Sequence, residues 1–309
     1  MSILNSRIIS KVFDLIKPQL ENNIFLHGQT AILSSRSNSR NFHDLWDAEV
    51  RVYSQWGEDG ILDFLCEKLD LIKPRIIEIG AGNFRECNSR FLMENRNASV
   101  YAVDGRPDLE RNVLSNPWRW RTHLTSKQEW ITPINVQGII DDAANFMGGI
   151  DIFSLDLDGN DYWILDEASL DNISIVVVEY NPLFGPDRQV TVPRDDDFDR
   201  SKKHFSCLYY GASLKAFETL LTKKGFSFIG TNRVGNNAFF VRKEIASKIP
   251  FSTRQDFSVY TDWRIREARN KEGRLNFFGG KERIKLISDL SLIDLEKGSS
   301  IKVADTWNG

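Results

Sequence analysis

The apolar positions of this chain change period along its length. Over residues 1–20, Ile8, Ile9, Val12, Phe13, Ile16 and Leu20 recur at helical spacing with Arg7, Lys11 and Lys17 between them, which predicts an amphipathic helix. Such a helix would dock on its own domain or on a second copy of the chain, giving a homo-oligomer; a helix lying on a membrane surface is the lesser alternative. Residues 33–40 are polar and Ser-rich and read as a connecting loop. From residue 55 the pattern is regular. Ile61, Leu62, Leu65 and Leu69 make one helical face. Short apolar runs follow at 75–79, 100–103, 134–136, 152–155 and 173–178, the third the weakest and the last β-branched almost throughout. A continuous run of that kind suits a central strand covered on both faces. Helical stretches lie between the runs, for example at 139–147. After a loop rich in Pro and Asp at 182–200, Leu214, Phe217 and Leu221 predict a helix that stops at Gly225. Two last strands, 226–229 and 238–241, are separated by a segment short enough for a hairpin. Strand–helix alternation of this kind predicts an α/β fold with a parallel, doubly wound sheet.

Composition narrows the class. The chain has 309 residues, which allows one large α/β domain with additions or two small domains, and 41% of them are hydrophobic, enough for a sizeable core. Charged residues are 27% of the total and the net charge is only −3, so there is no global pull toward nucleic acid or an anionic membrane. Cys66, Cys87 and Cys207 are scattered and form no CxxC pair, so neither a disulfide framework nor a zinc site is expected and a reducing, cytoplasmic setting fits. No apolar run has the length of a transmembrane helix, and the N-terminus lacks the compact apolar core of a signal peptide. The expected organisation is an N-terminal helical extension (1–50), a Rossmann-like domain (51–250) and a C-terminal extension packed on it (251–309).

The polar residues at the strand ends carry the chemistry. Glu78-Ile79-Gly80-Ala81-Gly82-Asn83 follows the first strand directly. Glycines at 80 and 82 let the backbone turn sharply and approach a ligand with no β-carbon in the way. A dinucleotide-binding loop would carry a third glycine where this chain has Arg85, which weighs against a nicotinamide-dependent oxidoreductase. Asp104 ends the second strand, where an acid accepts hydrogen bonds from ribose hydroxyls; a loop-capping Asp is the bland alternative. Asp156-Leu157-Asp158-Gly159-Asn160-Asp161 ends the fourth strand and Glu179-Tyr180-Asn181-Pro182 the fifth. Ligands of open α/β sheets bind beyond the carboxyl ends of the strands, so both groups face the same crevice as the glycine loop. One of these acids can be a helix cap, but capping does not account for all of them. His123 and His204 are alternative proton acceptors. Trp118, Trp120 and Trp130 cluster around His123 in sequence, as stacking or packing residues.

Neighbouring strands lie about 4.8 Å apart, so carboxylates at Asp156 and Glu179 would repel unless something positive stood between them. Neither motif contains Lys or Arg. A divalent cation such as Mg²⁺ would relieve the repulsion, with Asn181 adding a neutral oxygen. The competing account has one carboxylate as a base, the other hydrogen-bonded to backbone amides, and no metal.

Ser54-Gln55-Trp56-Gly57-Glu58-Asp59-Gly60, the glycine loop, Asp156 to Asp161, Glu179 to Pro182, Tyr210-Gly211-Ala212-Ser213-Leu214 and Asn236-Asn237-Ala238-Phe239-Phe240-Val241 together resemble a bacterial family of S-adenosylmethionine-dependent methyltransferases near the FkbM type. The stretch from Arg269 to Arg283 fits it too, and the resemblance spans roughly residues 52–295. Where FkbM-type proteins typically carry Asp-Val-Glu-Gly after strand four, this chain has Asp-Leu-Asp-Gly. The resemblance implies a seven-stranded class I methyltransferase sheet, S-adenosylmethionine as cofactor and a carbohydrate or other small-molecule hydroxyl as acceptor, in surface polysaccharide, glycolipid or natural-product synthesis. Gln55, Glu78, Gly80, Gly82, Asn83 and Asp104 would hold the cofactor. Asp156 or Asp158 would orient or deprotonate the acceptor, with His123 and His204 as alternatives, and Asp156, Glu179 and Asn181 would hold the metal. The other readings are a nicotinamide-dependent oxidoreductase and a Rossmann-like scaffold that binds no cofactor.

Overall fold

The computed structural model describes residues 2–116, 119–251 and 264–307. Trp118 and the side chains of Ile8, Ile9, Val12 and Phe13 lie outside the described residues. In chain order the regular elements are α1 (Ser2–Asn38), α2 (Glu58–Lys68), β1 (Arg75–Ile79), α3 (Arg90–Arg96), β2 (Ser99–Asp104), α4 (Asp108–Leu114), β3 (His123–Gln128), α5 (Val136–Met147), β4 (Ile152–Leu155), α6 (Asp161–Glu167) and β5 (Ile175–Glu179). They continue with β6 (Val190–Thr191), α7 (Arg200–Lys203), α8 (Leu214–Lys223), β7 (Phe226–Thr231), β8 (Asn237–Arg242), α9 (Gly280–Ile287), β9 (Ser291–Asp294) and β10 (Ser299–Lys302).

Seven strands form one sheet in the order β3-β2-β1-β4-β5-β8-β7. The first five run parallel, while β8 is antiparallel to both β5 and β7. This is the class I methyltransferase arrangement. The chain starts at the middle strand, winds outward to β3, then returns to β4 on the other side of β1. The strand order therefore reverses between β1 and β4, and that switch point is where a doubly wound sheet opens a crevice at its carboxyl edge.

Alternation along the strands builds a core on each face. Ile77, Ile79, Val103, Phe153, Val176 and Val178 point toward α5, α6 and α8, while Ile76, Val100, Ala102, Ile152, Ile175 and Val177 point toward α2, α3 and α4. Both sets are buried, so the central strands have no polar face. A third apolar cluster, including Phe184, Val190, Tyr210, Ile287 and Leu292, lies around a small antiparallel sheet of order β10-β9-β6.

Two expectations about elements are corrected. The third strand is β3, not residues 134–136, which lead into α5; Ile134 is 77% exposed. As an edge strand β3 buries only Leu124, so it carries no apolar run to detect. Residues 33–38 are helical rather than a loop, because α1 runs on to Asn38. Tertiary contacts hold that last turn. Ile32 packs with Tyr53 and Phe91, and Arg36 makes a two-pronged pair with the buried Asp63, Nε to Oδ2 at 2.7 Å and Nη2 to Oδ1 at 2.6 Å. Arg96 reaches the same carboxylate at 2.7 Å. No helix among the described residues is long and apolar enough to cross a membrane.

Asp63 is thus the anchor between α1, α2 and α3. Asp63→Ala leaves Arg36 with only Glu67, at 3.0 Å, and Arg96 with only the residue-63 carbonyl, and the expected loss is about 3 kcal/mol of unfolding free energy in urea titration, with faster proteolysis within α1. A loss below about 1 kcal/mol would mean that apolar contacts alone dock the helix.

Candidate active site

The carboxyl ends of β1, β2 and β4 open into a cavity of about 540 Å³. Gly80, Asp104, Arg106, Trp130, Asp156 and Asp158 are among the residues that line it. Glycine at 80 is required by packing. Its φ is +87°, and a β-carbon there would lie 1.6 Å from the carbonyl oxygen of Asp156. Gly82, at φ +59°, faces no backbone, and an added β-carbon would meet only Nη2 of Arg106 at 2.8 Å. Its N–H donates to Oδ2 of Asp104 at 2.7 Å. The other oxygen of Asp104 accepts from the Arg106 backbone N–H at 2.8 Å and from its Nε at 3.1 Å. Asp104 therefore fixes the glycine loop on one side and the turn after β2 on the other, and the exposed end of Arg106, whose Nη2 donates to Asp104 Oδ2 at 3.3 Å, covers the space above Gly82.

Three other residues of the expected cofactor set have different places. Glu78 is buried and accepts from the backbone N–H of Asn88 at 2.7 Å and of Ser89 at 3.0 Å, and from the Ser89 hydroxyl. It supports the segment after the glycine loop and does not line the cavity. Burial raises its carboxyl, and those bonds pull it back down. Asn83 is half-buried and caps locally, its Oδ1 accepting from Arg85 N at 3.1 Å, while its carbonyl accepts from Asn112 at 3.3 Å. Gln55 is exposed and absent from the cavity lining. Its loop is shaped by the acids that follow. Asp59 accepts from the N–H groups of Val52, Tyr53 and Ser54, each at 2.8 Å, and Glu58 from those of Trp56 and Gly57 at 3.0 Å.

At the ends of β4 and β5, Asp156, Asp158 and Glu179 bring carboxylate oxygens within 4.8 Å of one another. Burial raises all three above the ordinary carboxylate range. At Asp156 and Glu179 the neighbouring carboxylates push further in the same direction, whereas at Asp158 the guanidinium of Arg200 opposes the shift. Arg200 Nη1 donates to Asp158 Oδ1 at 2.6 Å and also stands 3.5 Å from Glu267. Asp158 itself sits in the left-handed region, at φ +56°. Glu179 Oε1 accepts from Asn236 at 3.2 Å, while its Oε2 is buried with no hydrogen-bond partner among the described residues. A buried acceptor left unmatched costs free energy, so a proton shared with a neighbouring carboxyl or a cation belongs there. Asp161 is the capping acid of the group. Its Oδ1 accepts from Leu157 N at 2.8 Å and its Oδ2 from Gly159 N at 2.9 Å, which fixes the loop that carries Asp158.

Several expected residues lie elsewhere. Asn181 is not available as a metal ligand. Its Oδ1 accepts from Leu183 N at 3.0 Å and its Nδ2 donates to the carbonyls of Leu208 and Tyr210, so the side chain is consumed in holding the chain after β5. Asp158 takes its place beside Asp156 and Glu179. His123 starts β3, about 17 Å along the strand from the carboxyl edge. It contacts Ser99 at 2.8 Å and stacks on Phe146, so it takes no part in the crevice. His204 follows α7, contacts Ser206 at 2.7 Å and leans on Phe205; burial lowers its basicity, and it does not line the cavity. Trp120 is 85% exposed. Trp130 does line the cavity, its ring over Gly105 and its Nε1 donating to the Asp196 carbonyl at 2.8 Å. Arg106, Arg200, Asn236 and Glu267 escaped the sequence reading. Asn236 lay inside a quoted motif, but nothing in the Asp-rich loop at 182–200 marks Arg200 as the arginine that faces an acid.

The residues present fit a ribose-bearing cation, since Asp104 offers a carboxylate at the cavity wall and only a flexible guanidinium fills the space above Gly82. They also fit a hard divalent cation, with three clustered carboxylates and one unmatched oxygen. No family model and no curated protein matches the chain. Solved structures with a similar fold include the N-terminal domain of EvdMO1 with SAH bound, 12% identical over 60% of this chain and 79% of that one, at a TM-score of 0.39. An O-methyltransferase family protein from Burkholderia thailandensis is 11% identical over 60% and 57% of the two chains, at 0.33. A protein described as a hemolysin from Lactococcus lactis is 16% identical over 63% and 88%, at 0.37. Likenesses this low bear on neither substrate nor mechanism, and the fold assignment rests on the strand order.

Asp161 gives the site a pH signature. Burial pushes its carboxyl up to about 6, against the two amide bonds that lower it. In the unfolded chain an Asp titrates at about 3.9. The folded form therefore holds an extra proton between these values, so the contribution of Asp161 favours the fold at about pH 4 and is lost as the pH rises through about 6. Urea unfolding across that range should show a stability that falls less with pH in Asp161→Asn than in the wild type. Parallel slopes would assign the extra proton to another group.

Proposed function

We propose that this protein is an S-adenosylmethionine-dependent O-methyltransferase of the FkbM type that acts on a carbohydrate hydroxyl. The observation that carries the reading is the meeting, at one switch-point crevice, of the glycine turn, Asp104 and a cluster of half-buried carboxylates whose basicity is raised. S-adenosylmethionine supplies an electrophilic methyl group when bound. Gly82 leaves room for the ligand once the Arg106 side chain moves aside, and Asp104 then exchanges the guanidinium bonds at 3.1 and 3.3 Å for the hydroxyls of a ribose. The protein's remaining tasks are to aim an acceptor oxygen and to take its proton. Asp156 is the better base, because burial and two neighbouring carboxylates raise it well above the ordinary range and outweigh the pull of Arg200, whereas at Asp158 Arg200 is the largest opposing influence. Asp158, held by Arg200 at 2.6 Å, orients the acceptor hydroxyl. Carbohydrate as the acceptor class rests on the sequence resemblance.

A metal-assisted version is a second reading, supported by the unmatched Oε2 of Glu179. Asp156, Asp158 and Glu179 would hold Mg²⁺, which would lower the acidity threshold of a coordinated hydroxyl.

S-adenosylhomocysteine should raise the melting temperature and NAD should not. At a hundredfold excess over its dissociation constant the ligand adds about 2.7 kcal/mol to the folded state. Gly82→Val should remove the shift, because a branched side chain at φ +59° enters the space the ligand needs. A shift with NAD alone would replace this reading by the oxidoreductase. The metal version is decided separately: Mn²⁺ or Mg²⁺ added to chelator-treated, S-adenosylhomocysteine-bound protein should raise its melting temperature, and Glu179→Gln should abolish the rise. No rise in the wild type leaves the metal-free carboxylate mechanism.

A further inference from the structure

A second cavity, of about 520 Å³, lies on the far side of α7. Arg200 and Ser201 line both cavities, so α7 is the wall between them. The volume is in the range of small-molecule sites, about 300–1,000 Å³. Its lining includes Phe205, Cys207, Glu267, Arg269 and Lys271. We propose that this cavity seats the acceptor and selects one that carries a carboxylate or a phosphate. The proposal rests on the methyltransferase reading and names the acceptor's chemistry.

The two cavities differ in sign. The first is lined by five carboxylates, those of Asp104, Asp156, Asp158, Asp196 and Asp199, against two arginines. That suits a cationic cofactor. In the second, Glu267 is the one acid among the lining residues, against Arg200, Arg269 and Lys271. Arg200 is already matched by Asp158 and Glu267, while among the described residues neither Arg269 nor Lys271 forms an ion pair. Two cations that have no ion-pair partner among the described residues, beside a cavity, focus negative ligands into it. They sit on a built turn. Arg269 bridges to Leu275, Asn270 N donates to the Arg274 carbonyl at 2.8 Å, and Arg269 Nη1 donates to the Gly273 carbonyl at 2.9 Å. The half-buried ring of Phe205 supplies an apolar wall of the kind on which a sugar face packs. Arg200 reaches from Glu267 to Asp158, 3.5 Å from the first and 2.6 Å from the second. An acceptor whose charged end is held among Phe205, Arg269 and Lys271 would have to extend past Arg200, the side chain common to both cavities, to bring its hydroxyl to Asp156 and Asp158 in the first.

The test uses the full chain, with and without S-adenosylhomocysteine. Glucuronate, glucose 1-phosphate and glucose are titrated by calorimetry or ligand-observed NMR into wild type, Lys271→Glu and Arg269→Gln. The expected result is at least one anion binding about tenfold more tightly than glucose, with that preference lost in Lys271→Glu while the S-adenosylhomocysteine melting shift is unchanged. The two anions separate a carboxylate from a phosphate preference. Glucose binding as well as either anion, no binding of either anion, or a preference that survives both substitutions overturns the proposal. Loss of the S-adenosylhomocysteine shift in wild type would instead strike the cofactor reading, and the anion preference measured without it is read independently.

Discussion

Two backbones meet between residues 80 and 156, and the carboxyl edge of the sheet is organised around that contact. The turn after β1 passes so near the Asp156 carbonyl that no side chain fits at residue 80. The N–H of Gly80 donates to the Val103 carbonyl at 2.9 Å, and that of Asp156 to the Ile79 carbonyl at 3.0 Å, so the ends of β2, β1 and β4 are tied at one height. Asp104 stands on one side of this junction, and Asp156, Asp158 and Glu179 stand on the other. A substitution at residue 80 would spread the strands and separate the two groups. At residue 82 the requirement is different, because only the end of the Arg106 side chain lies in the way.

How much of this was legible in the sequence follows from where each residue is buried. β1, β2, β4 and β5 are covered on both faces, so their apolar runs stand out without an alignment. The acids that end them were placed correctly at the carboxyl edge, because strand direction in a parallel sheet fixes which end each residue occupies. β3 hid because an edge strand buries one face thinly, and that single miss carried His123 with it, from a supposed loop near the crevice to the opposite end of the sheet. Asn181 was misjudged for another reason. A type of side chain that can ligate a metal can also cap a short helix, and only the positions of Leu183, Leu208 and Tyr210 decide between the two. Arg200 was invisible for the converse reason, since a cation 42 residues from its partner Asp158 leaves no local pattern.

The buried and half-buried acids divide into two kinds. Glu58, Asp59, Glu78 and Asp161 each accept backbone N–H groups and act as internal staples for loops, so their charge is met by fixed dipoles. Asp156, Asp158 and Glu179 have few such donors, and what opposes their repulsion is Arg200, the amide of Asn236 and protons. The staples offset part of the burial, although Asp59 and Asp161 are still pushed up to about 6. An unstapled cluster is held at a cost by the rest of the fold, which is the usual mark of a site kept for chemistry rather than for stability.

Arg200 stands on a helix of only four residues, capped by Asp199 and positioned by one contact in each cavity. A single side chain that belongs to two compartments makes their occupancies one thermodynamic question. Whatever enters the first and shifts the guanidinium alters the room and the field in the second, and linkage requires the reverse influence to have the same magnitude. Order of filling is then a property of this one arginine, because the compartment that leaves it in place is filled without disturbing the other.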